Sequence, residues 1–260
     1  MKTGYKELTF TNDFLFCKIL QNDEELCKEI VETLLDVRIR EVIYLNKHEG
    51  IDITSDGRGV SLDVYLEGDA SIYDIEMQMY NPGNLPKRSR YYQGIIDVNN
   101  LERGDSFSKL KKTYIVFICP FDSFGLGYYR YTFENRCTEN LNLQLDDDAV
   151  KVFINAKGKL DKASPKLQDF LNYIASGRAA GDLSTRIDSR VRDAKDNKKW
   201  EVEYMTLDWK FEEKYKEGLE EGRAEGLFSA IKTLMEKYTP DEIIAMGFSE
   251  DDVNSAISTK

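Results

Sequence analysis

Apolar residues between positions 12 and 35 recur every three or four residues, which is the pattern of a helix with one buried face. The polar stretch Gln21–Asp23 predicts a break in this helix. Asp13 lies at its start, where a capping or first-turn carboxylate is common. The next segment, Glu41–Asn46, is rich in β-branched and aromatic residues and predicts a strand.

Two runs of alternating polar and apolar residues follow, at positions 60–66 and 72–79, with a predicted turn at roughly Glu67–Ile72. Alternation places successive side chains on opposite faces of a strand, so Asp63 lies on the polar face of the first run. The EGDA segment between the runs has turn chemistry, and together the two runs predict an antiparallel hairpin. On the second run the polar face carries Asp74, Glu76 and Gln78.

The remainder of the first 160 residues predicts one helix and three strands. Residues 88–101 have helical spacing, and the apolar run 113–119 lacks alternation, as expected for a strand covered on both faces. Further strands are predicted at 128–135 and 150–155. A helix, a strand, a hairpin, a helix and further strands indicate an α/β domain with a mixed sheet flanked by helices.

From Ser164 onward the pattern is helical and strongly charged. We predict three segments: residues 1–160 as the α/β domain, 161–200 as a helical extension, and 201–260 as an acidic helical tail. Thr239 and Ser249 are predicted N-caps of two short helices in the tail. Before them an apolar stripe must be covered by something, and it consists of Leu227, Ile231, Leu234, Met235 and Tyr238. This stripe predicts that the C-terminal helices pair two copies of the chain as a homodimer.

Composition narrows the class of protein. Apolar residues make up 41% of the 260 residues, enough for a sizeable core, yet no apolar run approaches the length of a membrane span. The N-terminus lacks the apolar stretch of a secretion signal, and the four cysteines form no CxxC pair. We therefore expect a cytoplasmic protein with reduced thiols that neither enters a membrane nor carries a disulfide framework.

The charge distribution bears on partners. The net charge of −11 argues against a nucleic-acid binder, but residues 86–112 hold seven basic residues and only three acidic ones. The single histidine, His48, lies in a polar loop and excludes metal sites that need two histidines.

The hairpin carries the most specific chemistry. Its register brings Asp63 near Glu76, and two carboxylates facing each other repel unless a cation lies between them. Mg²⁺ is often held by one or two carboxylates with water and phosphate, so Asp63, Glu76 and Gln78 suit a metal-dependent phosphodiesterase. The same pattern also suits a solvated sheet face with three polar residues.

These residues resemble a known family. The segments TNDFLFCKIL, SLDVYLEGDASIYDIEMQM and RSRYYQGIIDVNNLERGDSFSKLKKTYIVFI are similar to the PD-(D/E)XK nuclease family transposases, also called recombination-promoting nucleases. The resemblance implies a restriction-endonuclease-like fold and a DNA endonuclease linked to recombination or mobile elements, with Mg²⁺ or Mn²⁺ as cofactor.

The resemblance also implies roles for individual residues. Asp63 and Glu76 would be catalytic metal ligands, Asp13 a further ligand from the N-terminal helix, and Gln78 would occupy the place of the lysine that is usual in the wider superfamily, although EMQ is usual in this branch. Glutamine orients water but supplies no positive charge. Arg88 and Arg90 are candidates for that charge, for phosphate positioning or merely for solubility. The predicted DNA contacts are Lys87, Arg88, Arg90 and Tyr91.

Two other functions remain open. The chain suits a catalytically inactive, transposase-derived interaction or DNA-binding module, in which the helical tail would be the working part. The second alternative is an RNase H-like transposase. Such an enzyme needs a third acid far along the chain, and Asp146–Asp148 is the candidate segment.

Overall fold

The computed structural model describes residues 4–45, 50–51, 60–68 and 70–258. His48, and Asn46 at the end of the first predicted strand, lie outside these residues. Contacts divide the chain into two compact units, residues 1–198 and 199–260.

The first unit is built on a mixed six-stranded sheet. Its strand order is β1-β4-β5-β6-β8-β7, and β2 and β3 form a separate two-stranded sheet. The strands are β1 (Val42–Leu45), β2 (Gly50–Ile51), β3 (Val60–Ser61), β4 (Val64–Gly68), β5 (Ser71–Met77), β6 (Lys112–Cys119), β7 (Arg130–Phe133) and β8 (Ala149–Asn155).

The centre of the sheet is parallel and its edges are antiparallel. Strand β5 runs parallel to β6, and β6 parallel to β8. The pairs β1–β4, β4–β5 and β7–β8 are antiparallel. The predicted α/β architecture with a mixed sheet is therefore confirmed, and the arrangement is consistent with a restriction-endonuclease-like fold.

Helices cover the sheet on both sides. Helix α3 lies over a cluster that includes Tyr65, Phe117 and Phe153, while α1 contacts β4 and α2 contacts β1. Residues of the opposite alternation, such as Val64 and Ile75, are fully buried too. The helices of this unit are α1 (Asp13–Asn22), α2 (Glu24–Leu35), α3 (Leu85–Asn99), α4 (Pro165–Ser176) and α5 (Asp182–Asp196).

The two helices of the predicted extension pack on the N-terminal helices. Glu29 of α2 forms ion pairs with Lys166 of α4 and Arg186 of α5. The Tyr5 hydroxyl donates a hydrogen bond of 2.7 Å to the carbonyl of Ala194. These contacts join α4 and α5 to the layer that covers one face of the sheet.

Three local predictions are refined by the structure. The helix break occurs because Asp23 caps α2, its carboxylate accepting a hydrogen bond from the Leu26 amide at 3.0 Å. The first hairpin strand is interrupted: residues 60–61 pair with 50–51, and 64–68 pair with β5. The hairpin turn is also tighter than predicted, because Glu67 is paired with Ile72.

The second unit is helical, with α6 (Lys198–Met235), α7 (Pro240–Ala245) and α8 (Glu250–Ser258). The predicted capping box is present, since Thr239 and Glu242 bond each other's backbone. Ile231, Ile243, Val253 and Ala256 form its buried core. Within the described ranges, no helix combines the length and apolar character that crossing a membrane requires.

Candidate active site

The site lies where β5 ends and β4 begins. Val64 pairs with Ile75 and Tyr65 with Asp74, so the same register sets Asp63 opposite Glu76. Asp63 itself sits in a bend immediately before β4. Residues 74, 76 and 78 lie on one face of the strand, because side chains alternate between the two faces. Glu76 and Gln78 therefore point towards α3, on the same side of the sheet as the aromatic cluster.

Two hydrogen bonds to backbone amides hold the Asp63 and Glu76 carboxylates across the hairpin. The Asp63 amide donates to Glu76 Oε1 at 3.0 Å, and the Met77 amide donates to Asp63 Oδ2 at 2.9 Å. Each acid thus binds a backbone amide of the opposing strand. This arrangement holds two like charges close together, which side-chain repulsion alone would oppose.

Arg88 of α3 is the cation that faces these acids. Its guanidinium donates to Glu76 Oε2 at 3.1 Å, to Gln78 Oε1 at 2.6 Å and to the Tyr92 hydroxyl at 2.7 Å. It also lies over the rings of Tyr92 and Phe117, 5.2 and 5.4 Å from their centroids. The half-buried Arg88 therefore spans Glu76 and Gln78, and the Gln78 amide is fixed further by donating to the Tyr80 carbonyl at 2.7 Å.

Helix α1 contacts Asp63 through one of its faces. Asp13, Cys17 and Gln21 are spaced four residues apart and so share one helix face. The Cys17 thiol donates a hydrogen bond to the Asp63 carboxylate, and Gln21 Nε2 donates to the Asp63 carbonyl at 3.2 Å. The exposed Asp13 accepts a bond from the Phe14 amide, and its charge acts on Asp63.

Asp74 is the most unusual group in the site. Its side chain is completely buried, and within the described residues neither carboxylate oxygen has a hydrogen-bond partner. Burial raises its pKa well above the usual range, the charge of Asp63 raises it further, and Arg88 opposes both. Because a buried carboxylate without partners is costly, the neutral acid is the form that this environment favours.

The other two acids are shifted in the same direction. Burial raises the pKa of Asp63 to about 6, although the hydrogen bond from Met77 opposes the change. Burial, followed by the charges of Asp63 and Asp74, raises the pKa of Glu76 well above its usual range. Three acids that resist ionisation together indicate more negative charge than Arg88 alone neutralises.

The comparisons with known proteins agree with this geometry. A profile of the PD-(D/E)XK nuclease family transposases matches residues 10–176, which contain the whole sheet and every acid described above. The chain belongs to this family. No curated protein and no solved structure matches the chain significantly. A nuclease-like enzyme related to transposases is the function that membership in the PD-(D/E)XK transposase family supports.

The donor atoms of a PD-(D/E)XK site suit a divalent metal. Oxygen ligands from Asp63 and Glu76 are what Mg²⁺ prefers, and the raised pKa values of these acids indicate that further positive charge would stabilise their ionised forms. Among the described residues, no group of three His, Cys, Asp or Glu side chains is arranged to hold a metal ion. Arg88 occupies Glu76 Oε2, so this contact must loosen before Glu76 offers that oxygen to a metal.

The predicted DNA contacts fall on two sides of α3. Lys87, Arg90 and Tyr91 are exposed, whereas Arg88 turns inward to Glu76 and Gln78. The structure thus separates Arg88 from the other three residues: it faces the acids, and they face solvent.

The acids at Asp146–Asp148 lie far from Glu76. Asp148 immediately precedes β8. In the sheet, Phe153 of β8 pairs with Phe117 of β6, and Phe117 pairs with Glu76 of β5. Five residues of strand span about 16 Å. This separation means that Asp146–Asp148 cannot supply the third acid that the RNase H-like alternative needs beside Asp63 and Glu76.

Sequence reasoning missed four residues that contact the site or lie among its acids: Cys17, Gln21, Asp74 and Tyr92. The alternation already placed Asp74 on the face of Glu76, and helical spacing linked Cys17 and Gln21 to Asp13. Tyr92 follows Arg88 by one helical turn. For each of these residues, the sequence does not reveal which neighbouring helix or strand its side chain contacts.

Proposed function

We propose that the protein is a divalent-metal-dependent DNA endonuclease that hydrolyses phosphodiester bonds at Asp63 and Glu76. The observations that support this most are the hydrogen bonds from the Asp63 amide to Glu76 and from the Met77 amide to Asp63, within the segment matched by the PD-(D/E)XK transposase family. These backbone amides fix the orientation of the two carboxylates across the hairpin, as a shared cation would require.

Asp63 and Glu76 would hold the Mg²⁺ or Mn²⁺, with Asp13 as a further carboxylate from α1. A bound divalent ion supplies Lewis acidity and lowers the pKa of a bound water. The protein's own part is to orient both acids, because burial raises the pKa of each and a bound cation would favour their charged forms. The Met77 amide and the Cys17 thiol both favour the charged form of Asp63.

Arg88 and Gln78 would act as a pair in place of the lysine that is usual in the wider superfamily. Gln78 is neutral, but it binds the guanidinium of Arg88 at 2.6 Å and so holds a positive charge beside the acids. An arginine stays protonated and does not act as a general base. Its role would be to stabilise negative charge developing on the phosphate, and Gln78 would orient water with its remaining hydrogen-bonding capacity.

DNA would approach over the exposed side of α3. Lys87 and Arg90 are placed for phosphate contacts, which carry affinity without sequence information, and Tyr91 would add contact area. Because the overall charge is −11, binding would depend on this local basic surface and would weaken steeply with salt.

We also propose that the protein works in the cytoplasm as a homodimer paired through its C-terminal helices. Two copies would bring two cutting sites to one duplex, as double-strand cleavage requires. Recombination or the movement of mobile elements is the role that the family description supports.

One observation favours the alternative of a catalytically inactive module. Both Glu76 oxygens already accept hydrogen bonds, one from the Asp63 amide and one from Arg88. If Arg88 remained there, it would substitute for the metal permanently. Measuring Mn²⁺ binding by calorimetry to the wild type and to Arg88→Ala separates the two functions. If Arg88 blocks the metal site in an inactive module, the variant would bind the ion and the wild type would not.

The central test is plasmid cleavage with purified full-length protein, with Mg²⁺ or Mn²⁺ and with a chelator. We expect nicking that requires the ion and falls at least about a hundredfold in Asp63→Ala and Glu76→Ala, since each removes a ligand. Asp148→Asn is the matched control, because it alters an exposed acid far from the site and should cleave like the wild type. Cleavage by Glu76→Ala at the wild-type rate would contradict the assignment.

A further inference from the structure

Helix α6 presents a narrow stripe of large residues followed by glycines. The stripe consists of Leu207, Phe211, Tyr215, Gly218, Gly222 and Gly226, at intervals of four, four, three, four and four residues. At about 100° per residue these positions fall within an arc of about 100° on the helix surface. We call this surface the aromatic–glycine stripe.

The described part of the chain leaves this stripe open. Leu207 is 40% exposed, and Phe211 and Tyr215 are each 73% exposed. A Cβ atom added at any of the three glycines would meet nothing within 4 Å. Glycine weakens a helix interior, so three glycines on one face need a compensating contact, and none of the described residues provides it.

The stripe from which self-association was predicted is not available for it. Leu227, Leu234 and Met235 pack with the fully buried Ile231 against α7 and α8, inside the second unit. A pairing surface on the C-terminal helices must therefore lie elsewhere, and the aromatic–glycine stripe is exposed.

The order of residues in the stripe identifies the partner. Its spacing reads the same in both directions about a point between Tyr215 and Gly218. If a second identical helix lies antiparallel about a two-fold axis at that point, Tyr215 meets Gly218 of the second copy. In the same register Phe211 meets Gly222, and Leu207 meets Gly226. Each large side chain thus faces a glycine, which is the complementarity that a two-fold contact between identical surfaces needs.

We propose that this stripe is the homodimer interface, with two α6 helices packed antiparallel and each large residue seated over a glycine of the second copy. The inference rests on the proposed homodimer and adds its surface, orientation and register. It does not depend on nuclease activity.

Charges beside the stripe favour the same arrangement. On one flank lie Lys210 and Lys214, and further along that flank lie Glu221 and Glu225. A two-fold axis sets each flank against itself, so in this register Lys214 lies beside Glu221 of the second copy. The other flank pairs Glu212 with Arg223 in the same way. Every such pair occurs twice, and all of these residues are exposed in the single chain.

Parallel pairing lacks this complementarity. It would set Phe211 against Phe211 and Tyr215 against Tyr215, and would leave glycine facing glycine with an unfilled gap between the helices. It would also bring Lys214 and Glu221 to different heights. The antiparallel register fills the space and opposes the charges at once.

The interface is tested by measuring the dimer dissociation constant of the full chain by sedimentation equilibrium. We expect wild-type protein to be a dimer, and Gly222→Phe to weaken it about tenfold or more, because two phenylalanines would then compete for one space. Phe211→Gly should also weaken it by removing the inserted ring. Ala224→Phe is the matched control, since it adds the same side chain on the opposite face of α6 and should leave the constant unchanged.

Complementation then tests the register. Phe211→Gly combined with Gly222→Phe exchanges the two packing partners and should restore the dimer. Lys214→Glu alone should weaken the dimer, and combining it with Glu221→Lys should restore it. Circular dichroism of each variant confirms that α6 remains helical. A monomeric wild type would refute the homodimer itself. A wild-type dimer that Gly222→Phe leaves intact, or that the paired variants do not restore, would overturn this interface and leave the nuclease proposal untouched.

Discussion

Asp74 shows how far the site departs from a site built for stability alone. A fully buried carboxyl without a hydrogen-bond partner destabilises a folded protein, and the buried Glu76 and the partly buried Asp63 lie close to it. Arg88 offsets part of this charge through its contact with Glu76. The surplus of negative charge is what we expect where a cation binds during function.

We predict that Asp74→Asn stabilises the metal-free protein by about 1–3 kcal/mol at pH 8, because it removes a buried group that ionises at a cost. Folding raises the pKa of Asp74 above its ordinary value of 3.8. The penalty is therefore absent below that pH and grows as the pH rises towards the folded pKa.

Urea unfolding in EDTA at pH 4.5 and at pH 8 measures the effect, and the gain should be smaller at the lower pH. Asp105→Asn provides a control, because Asp105 is a surface acid with a lowered pKa. An equal gain at both pH values would mean that Asp74 carries no ionisation penalty.

Arg88 changes what a substitution at position 78 should do. A lysine at this position, as in the wider superfamily, would bring a second cation against the Arg88 guanidinium, which now binds Gln78 Oε1. Like charges in a half-buried site repel, so we predict that Gln78→Lys lowers Mn²⁺-dependent nicking, and that adding Arg88→Gln recovers much of the loss.

Initial rates of plasmid nicking for the two single variants and the double variant form a complete cycle with the wild type. Additive losses would show that Arg88 and Gln78 act independently. Alternation in the sequence placed Asp63, Glu76 and Gln78 on the polar face of the predicted hairpin. It could not pair Gln78 with Arg88, since that pairing depends on how α3 is rotated over the sheet.

Among whole elements, local sequence predicted most boundaries because capping and alternation are local effects. The break after α1 was readable from Gln21–Asp23, and the helices at Ser164 and Thr239 begin with the expected caps. The interruption between β3 and β4 was not readable, because continuous alternation across residues 60–66 gives no sign that residues 60–61 pair with 50–51. Long-range pairing decided that division.

Asp23 connects three helices, and its replacement offers a test of their packing. One carboxylate oxygen caps α2 through the Leu26 amide, and the other accepts from Arg190 of α5 at 2.7 Å. We predict that Asp23→Ala lowers the free energy of unfolding by about 1–2 kcal/mol, mainly through the lost cap. Arg190 is 54% exposed, so its ion pair contributes little.

Asp23→Asn separates these two contributions, because asparagine is an equally good N-cap but carries no charge. Its stability in denaturant melts should lie close to that of the wild type. If Asp23→Asn were as unstable as Asp23→Ala, the ion pair to α5 would be the more important contact.

At the scale of the whole molecule, the two units differ greatly in their cores. The first buries a six-stranded sheet between two layers of helices, whereas the described residues of the second form a core of four buried side chains from α6, α7 and α8. The amount of buried apolar surface limits the stability of small units. The acidic, glycine-containing first part of the second unit continues without a break into the part of α6 that carries Ile231.

This difference predicts that Ile231→Ala unfolds the second unit selectively. Ile231 is completely buried at the centre of its small core, and removing a buried isoleucine side chain costs about 2–5 kcal/mol, a large part of what such a core provides. Hydrogen exchange followed by mass spectrometry should show faster exchange in residues 227–258. The amides of Asp63 and Met77, bonded within the first unit, should exchange as in the wild type.

Ile174→Ala, which truncates a buried isoleucine of α4, is the matched control and should affect the first unit instead. If Ile231→Ala accelerated exchange equally at residues 62–78, the two units would unfold as one, and the division at residue 198 would have no counterpart in stability.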